Sequence, residues 1–174
     1  MKKFILKFLG VLLLAGAAMA QEAPTAHPLY LGIGTGVDLP GSNWDSNYLA
    51  GGGAQGFAGY NLDKNWAAQL GLEEWFFTGG GTSLFNFRVL AEAKYTFDGA
   101  GWQPYLLAGP GLVFQALSPT GDTASNFDAL AGVGAQFDLA PQAKFFLEAK
   151  YNFILPETGS YQDVPVDFGL LVGI

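Results

Sequence analysis

Residues 84–97, LFNFRVLAEAKYTF, alternate between apolar and polar side chains with a period of two. This period predicts a β-strand with one apolar and one polar face, because successive side chains of a strand point to opposite faces. The segment is longer than a usual strand of ~5–6 residues and suits a bilayer-crossing strand, which needs ~9–11. Asn86, Arg88, Glu92, Lys94 and Thr96 form its polar face, which Leu90 interrupts as an apolar residue.

The same alternation recurs along the rest of the chain. It is clear in residues 127–138, 145–153 and 164–174 and weaker in 29–38, 53–62, 66–77 and 102–114. The two faces of 102–114 are not assigned, because Tyr105 and Leu107 are large on one side and Trp102 and Leu106 on the other. Eight strands are therefore predicted.

The predicted connections alternate between short and long. Three short turns, 61–66, 97–102 and 137–142, each contain an apolar residue followed by Asp, at Leu62-Asp63, Phe97-Asp98 and Phe137-Asp138, and turn-forming residues follow. The other connections, 39–52, 78–83, 115–126 and 154–163, are expected to be longer polar loops. This sidedness predicts an antiparallel up-and-down barrel of one domain over residues 21–174.

Residues 1–20 have the pattern of a secretory signal peptide. A basic start with Lys2, Lys3 and Lys7 leads into an apolar run that closes on Ala18-Met19-Ala20. Cleavage there would leave an acidic exported chain whose basic residues are Lys64, Arg88, Lys94, Lys144 and Lys150. Nucleic acid is not expected as a partner of so acidic a chain.

Alternation alone does not decide whether the apolar face points to lipid or to the inside of a soluble, lipocalin-like barrel. Only 13% of the residues are charged, about half the ~25% of soluble domains. Several large aromatic residues also fall near predicted strand ends, as in the girdles of membrane barrels. These residues are Trp66, Tyr95, Phe97, Trp102, Tyr151, Phe153 and Phe168. Together these features favour an eight-stranded transmembrane β-barrel.

Three stretches resemble small outer-membrane barrels of the OmpA and opacity-protein type. GAQGFAGYNLDKNWAAQLGLEEW (53–75) is similar to their second hairpin region, and WQPYLLAGPGLVF (102–114) to their W-x-P-Y strand. The last residues, DFGLLVGI, resemble the family's C-terminal assembly signal, carried here by Asp167, Gly169, Val172 and Ile174. Ile174 departs from the usual terminal Phe or Trp. The resemblance implies a bacterial outer-membrane location, contact with lipid, and insertion by the barrel-assembly machinery.

The polar faces carry charges that should meet inside the barrel, where an unpaired charge is costly. The predicted interior network comprises Arg88, Glu92, Lys94, Asp128, Glu148, Lys150 and Asp167. Its expected role is structural, since eight strands leave an interior just wide enough for side chains. A gated polar path through the barrel is the alternative role.

No catalytic, metal-binding or cofactor-binding residues are predicted. His27 is the only histidine and precedes the first strand, and no Cys is present. Glu73 and Glu74 are neighbours on a strand, so they should point to opposite faces and cannot act on one atom. GIGTG (32–36) falls within a strand and is no nucleotide loop. Asp45, Asp122 and Asp163, placed in loops, are expected to be solvated acids.

We therefore expect a non-enzymatic barrel that has a structural role or contacts a surface ligand through its loops. A channel for small or apolar solutes, resembling the OmpW type, is the second hypothesis, and a soluble lipocalin-like binder is the third. Because the sequence stops at its last strand, a peptidoglycan-binding domain and a tether to the cell wall are not expected.

Overall fold

The computed structural model describes residues 28–41, 48–156 and 160–174. The predicted signal peptide, His27 and Asp45 lie outside the described residues. No helix long and apolar enough to cross a membrane occurs within these three ranges.

Eight antiparallel strands in the described part of the chain form one closed barrel, in which β1 pairs with β8. The prediction of an eight-stranded up-and-down barrel is confirmed. The strands are β1 (Leu29–Pro40), β2 (Gly51–Asn61), β3 (Trp66–Gly79), β4 (Thr82–Thr96), β5 (Trp102–Ser118), β6 (Thr123–Ala140), β7 (Ala143–Leu155) and β8 (Tyr161–Gly173).

The two ends of the barrel differ in their connections. The turn end carries residues 62–65, 97–101 and 141–142, together with the start of β1 and the end of β8. The loop end carries the turns 80–81 and 119–122 and the described residues of the other two connections, 41, 48–50, 156 and 160. The prediction of long loops at 78–83 and 115–126 is wrong. The flanking strands extend into both segments and leave only a turn at Gly80-Gly81 and a turn at 119–122. Gly80 and Gly81 have φ values of 57° and 80°, which only glycine adopts readily.

The strands continue past their predicted ends because the hydrogen-bond ladder does not depend on apolar side chains. Ser83 pairs with Ser118, and Gln115 with Ala124, although neither pair continues the hydrophobic alternation. The hydrophobic pattern therefore marks a shorter band of the barrel than the backbone pairing does.

The faces divide as the alternation predicts. On β3, Gln69, Glu73 and Trp75 are buried in the lumen, whereas Leu70 and Leu72 point outward and are half-exposed. On β5, the strand whose faces were not assigned, Tyr105 and Leu107 point inward and Trp102 and Leu106 outward. The lumen is filled with side chains, and the outer surface is apolar, as in barrels that face lipid.

Aromatic side chains form a girdle at the turn end. The ring of Trp66 lies 5.0 Å from that of Tyr95, which in turn lies 4.9 Å from that of Phe97. Tyr151 and Phe168 do not lie at strand ends as predicted, because β7 and β8 extend several residues beyond them on both sides. The girdle is therefore clearest where the strands meet the short turns.

Candidate functional site in the barrel lumen

Arg88 of β4 is the centre of a buried charge cluster near the loop end. Its guanidinium contacts Asp163, and lies 3.4 Å from Asp38 Oδ2, 3.5 Å from Glu73 Oε2 and 3.6 Å from Asp128 Oδ2. Both strands of the closing seam contribute, since Asp38 lies near the end of β1 and Asp163 near the start of β8. An always-charged, planar guanidinium with five donors suits such a cluster of carboxylates.

Lys150 of β7 forms a second cluster one layer nearer the turn end. Its Nζ contacts Glu73, donates to Gln55 Oε1 at 2.9 Å, and lies 3.3 Å from Glu148 Oε1 and 3.7 Å from Asp167 Oδ2. Glu73 joins the two clusters because one of its oxygens faces Lys150 and the other faces Arg88.

The predicted network is thus divided by the structure. Arg88, Asp128, Glu148, Lys150 and Asp167 come together in the two clusters, whereas Glu92 and Lys94 have no ion-pair partner within 4.0 Å among the described residues. Glu92 accepts a hydrogen bond from Gln69, and Lys94 donates one to Gln136. Both side chains are nevertheless buried.

Sequence reasoning left three carboxylates out of the network: Asp38, Glu73 and Asp163. Glu73 and Glu74 do point to opposite faces, with Glu73 buried and Glu74 exposed. The alternation of side chains along β1 and β3 could have placed Asp38 and Glu73 in the lumen. Asp163 is not the solvated loop acid that was expected, because β8 begins before it and its carboxylate is buried against Arg88 and Asn152. Asp122 lies, as expected, in an exposed turn.

An apolar cluster closes the lumen above Arg88, toward the loop end. Its buried members are Trp75, Phe77, Leu84, Val113 and Ile154, with Tyr48 and Leu117 packed against them. Trp75 also donates from Nε1 to Glu73 Oε2 at 3.1 Å, which fixes the apolar cluster to the charge network.

The residues of the predicted assembly signal divide between the two faces of β8. Asp167 is buried in the lumen and Gly169 faces the same side, whereas Val172 and Ile174 point outward and are exposed. Their role in assembly stays a prediction. Within the described residues, no three His, Cys, Asp or Glu side chains are arranged to hold a metal ion.

Comparisons with known proteins agree with this architecture. The sequence profile of the outer membrane protein beta-barrel domain matches residues 8–170. No curated protein sequence matches the chain significantly.

Among solved structures, Neisserial surface protein A is similar over 88% of this chain and all of that chain, with 17% identity and a TM-score of 0.75. The N-terminal barrel domain of Pseudomonas aeruginosa OprF matches with 16% identity, 81% and 96% coverage and a TM-score of 0.53. Outer membrane protein OprG of Pseudomonas aeruginosa matches with 12% identity, 87% and 98% coverage and a TM-score of 0.57. At these identities the structures share the fold, and the profile match assigns the family. The chain belongs to the outer membrane protein beta-barrel domain family.

Proposed function

We propose that this chain is a non-enzymatic, non-conducting barrel of the bacterial outer membrane that acts through its loop end. Its role there is to contact a surface ligand or to support the envelope structure. The observation that carries this proposal is the closure of the lumen by two successive layers of buried side chains.

The first layer is the charge network. Arg88 and Lys150 are both buried and hold carboxylates from four other strands, β1, β3, β6 and β8, across the barrel. A solute passing this layer would have to separate buried ion pairs, and leaving one partner unpaired costs about 3–5 kcal/mol.

The second layer is the apolar cluster of Trp75, Phe77, Leu84, Val113 and Ile154. Phe77, Val113 and Ile154 have no exposed surface. Hydrophobic constrictions of this kind exclude water and ions. The two layers lie in series, so that opening either one alone leaves the barrel closed.

The loop end provides a surface for contact. A recess of about 270 Å³ lies above the apolar cluster and is lined in part by Tyr48, Leu117, Asp122 and Tyr161. Tyrosine is enriched at protein interfaces because its ring adds apolar area and its hydroxyl adds a hydrogen bond. This mixture supports contact with the apolar or aromatic groups of an extracellular partner.

The remaining partners follow from the outer surface. Outward-facing residues such as Ile33 and Leu70 supply an apolar band for the lipid of the outer membrane. Insertion by the barrel-assembly machinery would use the end of β8, and no role for nucleic acid is proposed.

Reconstitution into planar bilayers tests closure. We expect no conductance steps from the folded chain under conditions in which a general porin conducts. Reproducible steps, or uptake of a small or apolar solute by cells that depends on the chain, would overturn the proposal and support the OmpW-like channel.

Cell assays test the role of the loop end. Adhesion of expressing cells to wells coated with matrix proteins should fall in a Leu117→Ser/Tyr161→Ser variant and stay unchanged in the turn-end control Lys64→Ser. A structural role predicts instead that deletion of the gene sensitises the envelope to detergent while the loop-end variant does not. If deletion changes neither adhesion nor detergent sensitivity, the proposed role is wrong.

A further inference from the structure

A polar cavity opens at the turn end of the barrel, opposite the surface considered above. Its volume is about 310 Å³, and turn residues including Lys64, Asp98 and Gln142 form its rim. Short turns lie on the periplasmic side of outer-membrane barrels, so this cavity faces the periplasm.

Basic residues are concentrated around this cavity, although the chain as a whole is acidic. Lys64, Lys94 and Lys144 all line it. Lys64 pairs with Asp98 at 3.6 Å and Lys144 with Asp138 at 2.9 Å.

Lys94 differs from the other two lysines because it is 4% exposed and no carboxylate of the described residues lies within 4.0 Å of it. Its Nζ lies 4.0 Å from the centre of the Tyr105 ring, a cation–π contact that compensates only part of the charge. A buried ammonium is costly unless it is paired. The inner end of the cavity therefore carries a buried ammonium without a direct ion pair, on which the carboxylates of Glu148 and Glu92 act only from beyond 4.0 Å.

Hydrogen bonds among the lining side chains leave N–H donors, rather than acceptors, available in the cavity. Lys94 Nζ donates to Gln136 Oε1 at 2.9 Å, and Gln136 Nε2 donates to Gln103 Oε1 at 2.8 Å. The same Gln103 oxygen accepts a hydrogen bond from Lys144 Nζ at 2.6 Å. Both amide oxygens are thus occupied by protein donors. Since an ammonium has three N–H groups and an amide has two, donors remain for a ligand.

We propose that this cavity binds a small anion bearing a carboxylate or phosphate group. Lys94 supplies an ammonium without a direct ion pair, Lys144 a second ammonium, and the Gln103 amide a further donor. Charge-assisted hydrogen bonds from ammonium groups to such oxygens are stronger than neutral ones. The volume is roughly that of ten waters at ~30 Å³ each, which admits a phosphate ester or a tricarboxylate. The site is separate from the loop end, so either proposal can fail alone.

Isothermal titration of the folded full chain in detergent at low salt, with inorganic phosphate and with citrate, tests the site. We expect saturable binding of at least one anion. Lys94→Met should weaken it about tenfold or more, because it removes the buried charge. Lys94→Arg should retain binding. Asp122→Asn, which removes an exposed charge in the turn at the opposite end of the barrel, should change the affinity no more than about twofold.

The anion that binds identifies the ligand chemistry, and binding of either one supports the proposal. A mobility difference between boiled and unboiled samples on a detergent gel establishes that each variant is folded. If Lys94→Met does not fold, Lys144→Met and Gln103→Ala should show weaker binding in its place. Absence of saturable binding to the wild-type chain, or full affinity in folded Lys94→Met, would overturn the proposal.

Discussion

Within the lumen, the contribution of each charged side chain to stability depends on its partners. Among the described buried residues, carboxylates outnumber cations by seven to three. The carboxylates are Asp38, Glu73, Glu92, Asp128, Glu148, Asp163 and Asp167, and the cations are Arg88, Lys94 and Lys150. Because Arg88 and Lys150 each compensate several acids, loss of either one should cost more stability than loss of an acid.

Lys150→Met tests this at the centre of the network. The substitution keeps most of the apolar stem but leaves Glu73 and Glu148 without their shared ammonium, so the free energy of unfolding should fall by about 3–5 kcal/mol. Lys64→Met is the matched control. It breaks an ion pair whose side chains are 67% and 78% exposed and should cost at most about 1 kcal/mol.

Urea unfolding followed by tryptophan fluorescence measures both changes. The double variant Lys150→Met/Glu73→Gln should recover part of the loss, because it also removes the carboxylate that Lys150 contacts. Equal stability of Lys150→Met and Lys64→Met would contradict this account of the lumen.

Glycine in the lumen has a packing role that a second variant tests. The ring of Tyr105 lies over Gly134, where an added Cβ would come within 2.7 Å of the ring atom Cε2. Gly134→Ala should therefore displace the ring, disturb the 2.7 Å hydrogen bond from Tyr105 to Glu148, and cost about 1–3 kcal/mol. Gly56→Ala is the control, since its Cβ would meet nothing closer than 3.9 Å. If both variants unfold at the same urea concentration, the packing of the Tyr105 ring does not require glycine at position 134.

At the scale of the strands, alternation in the sequence predicted which side chains enter the lumen but not which of them meet. The face of Arg88 could be predicted from its own strand. Its partners Asp38 and Asp163 lie on β1 and β8, and only the register and stagger of the closed barrel bring them to β4. Lys94 was predicted to belong to the network only because it lies on the same face as the other charges. The stagger of the strands leaves it without an ion pair to the carboxylates of the two clusters.

Closure between β1 and β8 depends on a pair of glycines. Gly34 and Gly169 are register partners, and the ring of Phe146 from β7 packs on both. A Cβ on Gly169 would lie 2.6 Å from Gly34 Cα and 2.8 Å from Phe146 Cε1. Because part of this contact is backbone, rotation of a side chain cannot relieve it.

Gly169→Ala should therefore push the two closing strands apart and lower the free energy of unfolding by about 1–3 kcal/mol. The folded fraction on a detergent gel should fall with it. Gly52→Ala is the control on an outward face, where an added Cβ meets no atom within 4 Å. A Gly169→Ala barrel as stable as the Gly52→Ala barrel would show that the seam tolerates a side chain.

At the scale of the whole molecule, the lumen is divided along the barrel axis. The turn end holds the basic cavity, the middle holds the acid-rich network around Arg88 and Lys150, and the loop end holds the apolar cluster. Each proposal therefore requires one orientation in the membrane. The recess beside Tyr161 has to face the exterior, and the cavity beside Lys94 has to face the periplasm.

Single cysteines can determine this orientation, because the natural sequence has none. Asp122 lies in the turn between β5 and β6 at the loop end, and Lys64 lies in the turn between β2 and β3 at the turn end. A membrane-impermeant maleimide added to intact cells should label Asp122→Cys and not Lys64→Cys. After the outer membrane is permeabilised, both should react, because both positions are exposed to solvent. Labelling of Lys64→Cys alone in intact cells would show that the barrel has the opposite orientation, with the anion cavity outside the cell.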